Sequence, residues 1–356
     1  MELDKNSRKK WRGIEIIGLA LVIISFITLL VSPESISGLF DSITKQVFPI
    51  VVDVFLLSEV GVAIIISVIV GRILERLGFT DALIRIFIPI MKVFKINPSV
   101  IIPSVYNVLG DINAAGAIAG PVLKKAKTTK AEQKIAIATM IQSPQSFATL
   151  VLGIVVLTKF GISALPLVLV SIFLPIVLVP IILSKTVYKD TKAVELEELP
   201  RFTPETKLLD TIFSSAKEGA YLLFLVIIPA VAAVFTIIGI LDFFGIWTVI
   251  QNGMTIVLQW LSIEPATGIV SVLASPTLAM AQLNEMSNIA PALVVGGFVL
   301  ANSGLPLSVL FGQIPVTWKE NSDLNEREAL LAALLGTVIK FASCIIIGLL
   351  LTPLIV

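Results

Sequence analysis

The chain has 356 residues, of which 56% are hydrophobic and only 14% are charged, and its net charge is +1. A soluble domain carries about a quarter of charged residues, and the mean hydropathy here is +1.00, so the composition predicts an all-α polytopic membrane protein that lies in a lipid bilayer and has no nucleic-acid partner. The absence of histidine excludes histidine-based catalysis and most zinc or haem sites, and the single cysteine excludes a disulfide framework.

The first apolar run, residues 14–31, approaches the length of about 20 residues that a helix needs to cross the hydrocarbon core. No small-residue cleavage motif follows it, so residues 1–45 are predicted to form a retained transmembrane helix and an outer loop. A cluster of four basic residues at positions 8–12 flanks the run, and the positive-inside bias therefore places the N-terminus in the cytoplasm. These residues are Arg8, Lys9, Lys10 and Arg12.

Two later stretches resemble each other. Residues 77–105 and 244–272 align without a gap and share six identities in 29 positions, among them Gly78/Gly245 and Pro98/Pro265. In each copy an apolar helix is followed by Gly, an amphipathic stretch, a Pro, a small-residue segment and a helix interrupted by polar residues. This order predicts two repeats joined by a polar cytoplasmic linker. The repeats are residues 46–183 and 216–356, and the linker is 184–215.

The basic residues distinguish the two copies. Ten Lys or Arg residues lie between Ile50 and Leu150, whereas none lies between Lys217 and Lys319. Since Lys and Arg are enriched in cytoplasmic loops, the contrast predicts that the second copy is inverted in the membrane.

The inverted repeat predicts about seven transmembrane helices, two interfacial helices and two re-entrant hairpins. A hairpin is predicted where basic clusters flank a segment at both ends, because an ordinary crossing would put one cluster on the wrong side. The C-terminus is then outside a cell (inner) membrane. The predicted transmembrane helices are 14–31, 47–71, 135–158, 162–183, 218–240, 289–316 and 329–353, the interfacial helices are 79–96 and 243–263, and the hairpins are 99–123 and 266–287.

Four polar interruptions, two per copy, are predicted to meet at the centre: 107–116, 142–146, 275–282 and 302–306. Non-helical backbone at membrane depth survives only where protein buries it or water reaches it, so such breaks mark binding sites. Neutral amides and hydroxyls suit a small polar solute, although such groups can also only bond between helices. The candidate substrate-binding residues are Asn107, Gln142, Ser143, Gln145, Ser146, Ser275, Thr277, Gln282, Asn302 and Ser303.

Asp111 is the one carboxylate among these interruptions. An acid at membrane depth costs several kcal/mol and is functional by default, so Asp111 is predicted to hold Na⁺ or carry a proton. The other reading is a tip that reaches the headgroups. Asn113 beside it, and Glu59 inside the predicted helix 47–71, are further candidates for coupling. No cofactor or other metal site is predicted.

Enzymatic activity finds no support in the sequence. There is no Walker-type phosphate loop, and the glycines of "GDINAAGAIAG" follow no strand, as a dinucleotide fingerprint would require. The paired aspartates or Ser/His of an intramembrane protease are also missing. The prediction is therefore a non-enzyme.

The segments "NPSVIIPSVYNVLGDINAAGAIAGPVL" and "EPATGIVSVLASPTLAMAQL", each followed by a polar-broken helix, resemble the nucleoside-recognition or Gate domain. This domain occurs in concentrative nucleoside transporters, spore maturation proteins and the membrane part of ferrous-iron transporters, and the resemblance covers about residues 50–350. It implies two hairpins and two broken helices around a central site and, in the nucleoside carriers, a Na⁺ or proton gradient, trimers and an elevator-like motion. Those carriers hold the ribose with acidic residues, whereas the matching positions here are Gln142, Ser143, Asn302 and Ser303.

The expected function is a cation- or proton-coupled secondary active transporter that moves a nucleoside, nucleobase or similar small polar solute by alternating access, as a homo-oligomer. The alternative is a non-transporting membrane partner or scaffold of the spore-maturation type, which would act through the linker.

Overall fold

The computed structural model describes residues 11–192 and 201–356, and within these ranges it contains helices and no β-strand. The predicted all-α fold is confirmed. In the first part of the chain the helices are α1 Gly13–Val31, α2 Pro33–Leu56, α3 Glu59–Arg76, α4 Phe79–Val93, α5 Pro98–Leu109, α6 Ile112–Lys125, α7 Lys130–Met140, α8 Phe147–Lys159 and α9 Ala164–Lys185. In the second part they are α10 Leu208–Phe243, α11 Ile246–Trp260, α12 Pro265–Leu273, α13 Pro276–Glu285, α14 Pro291–Ala301, α15 (the π-helical turn Val309–Gln313 and the α-helix Ile314–Asn321) and α16 Glu326–Ile355.

The first part of the chain corrects two of the predictions. The predicted outer loop after α1 is helical, because Pro33 begins α2 immediately after Ser32 ends α1. The predicted helix 47–71 is also wrong as one element. The chain breaks at Leu57 and Ser58, and the Ser58 side chain accepts a hydrogen bond from Val60 N, which caps α3. Helices α2 and α3 meet at an angle of 54°.

The two repeats have the same order of elements and the same turns. Helices α3 to α9 correspond to α10 to α16, with a hairpin (α5–α6 and α12–α13) and a broken helix (α7–α8 and α14–α15) in each. Residues with left-handed backbone recur at three equivalent positions: before α4 and α11, after α4 and α11, and after the two hairpins. These pairs are Gly78 (φ 84°) and Gly245 (φ 70°), Lys95 (58°) and Ser262 (59°), and Lys127 (51°) and Asn288 (60°).

Contacts with α16 show that the repeats are inverted. Helices α7 and α16 start together, since Lys134 Nζ lies 2.9 Å from Glu328 Oε1, and they stay together to Gln142, which donates to Gly336 O. They are therefore parallel. Helix α14 runs the other way, because it starts where Ala292 lies beside Gly348, late in α16. The equivalent helices α7 and α14 are thus antiparallel, as the charge distribution predicts.

The buried apolar side chains form two clusters, stacked along the spanning helices. Cluster I consists mainly of side chains from α4, α5, α6, α7, α15 and the start of α16, and cluster II mainly of side chains from α3, α8, α10, α12, α13, α14 and the end of α16. The two halves of each broken helix therefore lie in different clusters. Both helix breaks fall in the layer between the clusters, which we call the central layer.

The number of continuous spans is lower than the seven predicted. Four of the described helices, α1, α9, α10 and α16, are long and apolar enough to cross a membrane, and there are six if each of two bent pairs counts as one. The three predicted helices that are not continuous are 47–71, which is broken at 57–58, and 135–158 and 289–316, which are split at 141–146 and 302–308. The halves of 135–158 and 289–316 are individually too short, although each pair of halves passes through both clusters.

Candidate functional site in the central layer

The tip of the first hairpin pairs with the first helix break. Helices α5 and α6 are separated only by Gly110 and Asp111, so the non-helical tip is shorter than the predicted interruption 107–116. Asp111 and Ser146 form an isolated antiparallel bridge, and Ile112 N donates to Gln145 O at 3.2 Å. Backbone polar groups at the tip thus bond to backbone polar groups at the break. This pairing removes the cost of leaving either set unpaired in an apolar layer.

Two side chains strengthen this junction. Asn107 is fully buried and its Nδ2 donates to Pro144 O at 2.6 Å. Ser143 Oγ donates to Ser104 O at 3.0 Å. Both bonds connect the hairpin to the break, and both involve residues that the sequence singled out.

Hydroxyl groups connect the second hairpin to the same break. Ser146 is the N-cap of α8, and its Oγ lies 3.1 Å from Thr149 Oγ1. Thr149 Oγ1 lies in turn 2.8 Å from Thr277 Oγ1 in the first turn of α13. Ser275 caps α13 by accepting from Leu278 N. Thr149 was not predicted, because it lies in α8 rather than in a break.

The second helix break contacts the first one in the central layer. Gly304 N donates to Ile141 O at 3.0 Å, which joins the two breaks directly. Asn302 is buried, donates to Phe298 O in its own helix and lies beside Gly153 of α8. Ser303 Oγ donates to Leu300 O. The structure therefore brings both hairpins and both breaks to one buried place.

Several buried oxygen atoms of this layer have no hydrogen-bond partner in the described part of the chain. They are Asn107 Oδ1, Gln142 Oε1, Asn302 Oδ1, Ser104 Oγ and Ser171 Oγ. Unsatisfied buried polar groups are rare and need an explanation. Amide oxygens and hydroxyls suit a solute with N–H or O–H donors, or a hard monovalent cation.

Three of the predicted residues lie elsewhere or cannot be placed. Glu59 is exposed in the first turn of α3, so it is not deep in a helix. Gln282 lies within α13 and lines a separate cavity of about 170 Å³ with Gln46 and Gln251. Asn113 belongs to the first turn of α6, but its side chain lies outside the described part of the structure.

The sequence reasoning also missed Lys340. This residue is 1% exposed, and its Nζ donates to Gln142 O at 3.0 Å and to Ser171 O at 3.3 Å. The signal was visible, because a lysine in the apolar run "LLGTVIKFASCIIIGLLL" is an ionisable group inside a span.

Comparison with known proteins shows the architecture. No family model and no curated protein matches the chain. Among solved structures, CNTnw in an inward-facing substrate-bound state is similar, with 14% sequence identity and a TM-score of 0.59 over 97% of this chain and 88% of that chain. A single-residue variant of CNTnw in its intermediate 2 state is also similar, with 14% sequence identity and a TM-score of 0.59 over 96% of this chain and 87% of that chain. These neighbours are transporters rather than enzymes, and the chain has the fold of a concentrative nucleoside transporter.

Proposed function

We propose that the protein is a secondary active transporter that moves a small polar solute by alternating access, with the two hairpins as its gates. The observation that carries this proposal is the meeting of two hairpin tips and two helix breaks in the buried central layer. Discontinuous helices that meet between inverted repeats are how carriers build a site that can be approached from either side. The similarity in fold to nucleoside transporters supports the same conclusion.

The solute is a nucleoside, a nucleobase or a molecule of similar polarity. The central layer presents amides and hydroxyls, and the side-chain amide oxygens of Asn107, Gln142 and Asn302 accept no hydrogen bond from the described residues. A neutral solute with several N–H or O–H donors would satisfy these oxygens. The acidic side chains that hold ribose in the nucleoside carriers are absent at the matching positions, so recognition here would use neutral acceptors.

Asp111 is the proposed coupling residue, and the symmetry of the repeats supports a role for its charge. Asp111 directly precedes α6, and Ser275 holds the same position before α13, where a hydroxyl is enough to cap the helix. Capping by itself therefore does not require an acid at this tip. We propose that the carboxylate binds Na⁺ or carries a proton during transport.

The assembly follows the same proposal. We propose a homo-oligomer in the cell (inner) membrane, with the N-terminus in the cytoplasm and the C-terminus outside. The exposed apolar side chains of α10 and α16, such as Leu225 and Leu349, support contact with lipid or with a second copy.

A transport screen tests the function. Purified protein in proteoliposomes is given labelled nucleosides, nucleobases and small organic ions under imposed Na⁺ or proton gradients, with protein-free liposomes as the control. At least one solute is expected to enter above the control or to exchange in counterflow. Binding of a solute without flux under every gradient would instead favour the scaffold alternative.

The role of Asp111 is tested with two variants. Asp111→Asn removes the charge, and Asp111→Ser copies the neutral cap of the second hairpin. If the carboxylate binds Na⁺, both variants are expected to lose Na⁺-coupled uptake. If it carries a proton, both are expected to lose accumulation and to keep counterflow, because exchange needs no net proton movement. Accumulation and counterflow are measured on the same proteoliposomes. If Asp111→Ser accumulates solute as the native protein does, the carboxylate has no part in coupling.

A further inference from the structure

Lys340 lies at the level where the two apolar clusters meet. Earlier in α16, Ala333 belongs to cluster I, and later in the helix Cys344 belongs to cluster II. The lysine between them is 1% exposed. Its amino group is in the central layer, because it donates to Gln142 O at the first helix break.

The two acceptors of Lys340 are carbonyls at places where the helical hydrogen-bond pattern is interrupted or irregular. Gln142 follows the last residues of α7, and the end of a half-helix carries unsatisfied carbonyls and partial negative charge. Ser171 belongs to the π-helical turn Leu169–Phe173 of α9, where the hydrogen-bond ladder is displaced. The amino group thus sits where two separate helices present carbonyl oxygen.

This charge is compensated by dipoles rather than by an acid. Within residues 11–192 and 201–356, no carboxylate is paired with Lys340. The two residues that supply its carbonyls also supply two buried oxygens without a partner, Gln142 Oε1 and Ser171 Oγ. The ammonium group is therefore held by two backbone carbonyl oxygens from different helices, and carbonyl oxygen is the kind of ligand that also binds hard cations.

We propose that Lys340 is a built-in cation, which fills a cation site between the break of the first broken helix, α9 and α16 with the chain's own ammonium group. A purely space-filling role would need no charge, because replacing a buried ion by an apolar side chain of similar size is often neutral or stabilising. As a positioning residue, Lys340 holds the carbonyl of Gln142 and thereby the geometry of the break. The Lys340 site does not depend on the proposed function. Its consequence for transport, that no coupling ion is needed at this position, rests on the proposed transporter function.

Chemical rescue tests the proposal. Lys340→Ala removes a group equivalent to n-propylammonium, which can refill the space and restore the charge, as small ligands enter engineered cavities. The full chain in detergent is heated in n-propylammonium chloride, sodium chloride or choline chloride, or in choline chloride with 1-propanol. We expect Lys340→Ala to lose at least about 3 °C in Tm relative to the native chain in choline, and propylammonium and sodium to restore half of the loss or more.

The controls separate charge from volume. Propanol has the size of propylammonium without its charge and should not restore Tm, and choline is too large for the site. Lys319→Ala, which removes an exposed lysine paired with Glu326, should show no added response to either cation. Equal rescue by propanol, or no rescue by either cation, overturns the proposal.

A second variant covers the case in which Lys340→Ala does not fold. Lys340→Met keeps the length and volume of the side chain and removes only the charge and the donors. The proposal expects its Tm to fall below that of the native chain in every salt. A Tm equal to or above the native value shows that Lys340 merely fills space. Neither readout depends on transport, so failure here is distinct from failure of the transporter proposal.

Discussion

At the scale of single residues, the contact between Thr149 and Thr277 is the bond that links the first broken helix to the second hairpin. Their hydroxyl oxygens are 2.8 Å apart, and both side chains are buried. Interhelical hydrogen bonds of this kind in membranes contribute about 0.6 kcal/mol on average and up to about 1.7 kcal/mol. The pair should therefore show a measurable coupling energy.

We expect a double-mutant cycle of Thr149→Val and Thr277→Val to give a coupling of about 0.5–1.5 kcal/mol in unfolding free energy. The measurement is denaturant unfolding of the four purified proteins. Thr158→Val in the same helix is the matched control, since Thr158 is exposed and bonds only to Ile154 O of its own helix. The control pair, Thr158→Val with Thr277→Val, should give additive effects. Additive effects for Thr149→Val with Thr277→Val as well would mean that the second hairpin is not bonded to the first broken helix.

At the scale of elements, the approach of α16 to α7 depends on a single glycine. A Cβ added at Gly336 would lie 2.8 Å from the carbonyl oxygen of Ala138 and 2.9 Å from its Cα, so backbone would have to shift. This contact also brings Gln142 to its acceptor on α16. The close packing of these two helices is therefore a condition for the geometry of the break.

Gly336→Ala is expected to destabilise the protein by about 1–3 kcal/mol, the usual cost of overpacking a core. Gly312→Ala is the control, because Gly312 is helical and its added Cβ would meet nothing within 4 Å, so the substitution should be neutral or stabilise by up to about 1 kcal/mol. Thermal and denaturant unfolding of both variants decide between them. Equal stability would place α7 and α16 farther apart than the structure does.

At the scale of the whole molecule, inversion predicts that the two hairpins open toward opposite sides of the membrane. Lys124 and Ser287 are exposed near the ends of the first and the second hairpin. In a background without Cys344, we expect Lys124→Cys to react with an impermeant maleimide only from the cytoplasmic side, and Ser287→Cys only from outside. Labelling of intact cells and inverted vesicles measures this. Reaction of both cysteines from the same side would contradict an inverted repeat.

The sequence by itself determined the class, the repeat and the approximate places of the interruptions. Apolar content, the bias of Lys and Arg and the positions of Gly and Pro are local properties, and each acts through the bilayer or through the backbone of its own segment. The hairpins α5–α6 and α12–α13, and the breaks at 141–146 and 302–308, accordingly lie close to their predicted positions. Local composition failed at residues 33–45, where polar residues predict a loop but form the first part of the amphipathic helix Pro33–Leu56.

Only the tertiary structure decided which of these features touch. Thr149 and Thr277 are 128 residues apart, and Lys340 and Gln142 are 198 apart, so no local pattern could pair them. The same packing left Glu59 exposed and moved Gln282 to a separate cavity. The reason is physical, because burial and hydrogen bonding of a polar side chain depend on which helices pack around it. In this protein, the packing of the two apolar clusters determines which polar residues lie in the central layer between them.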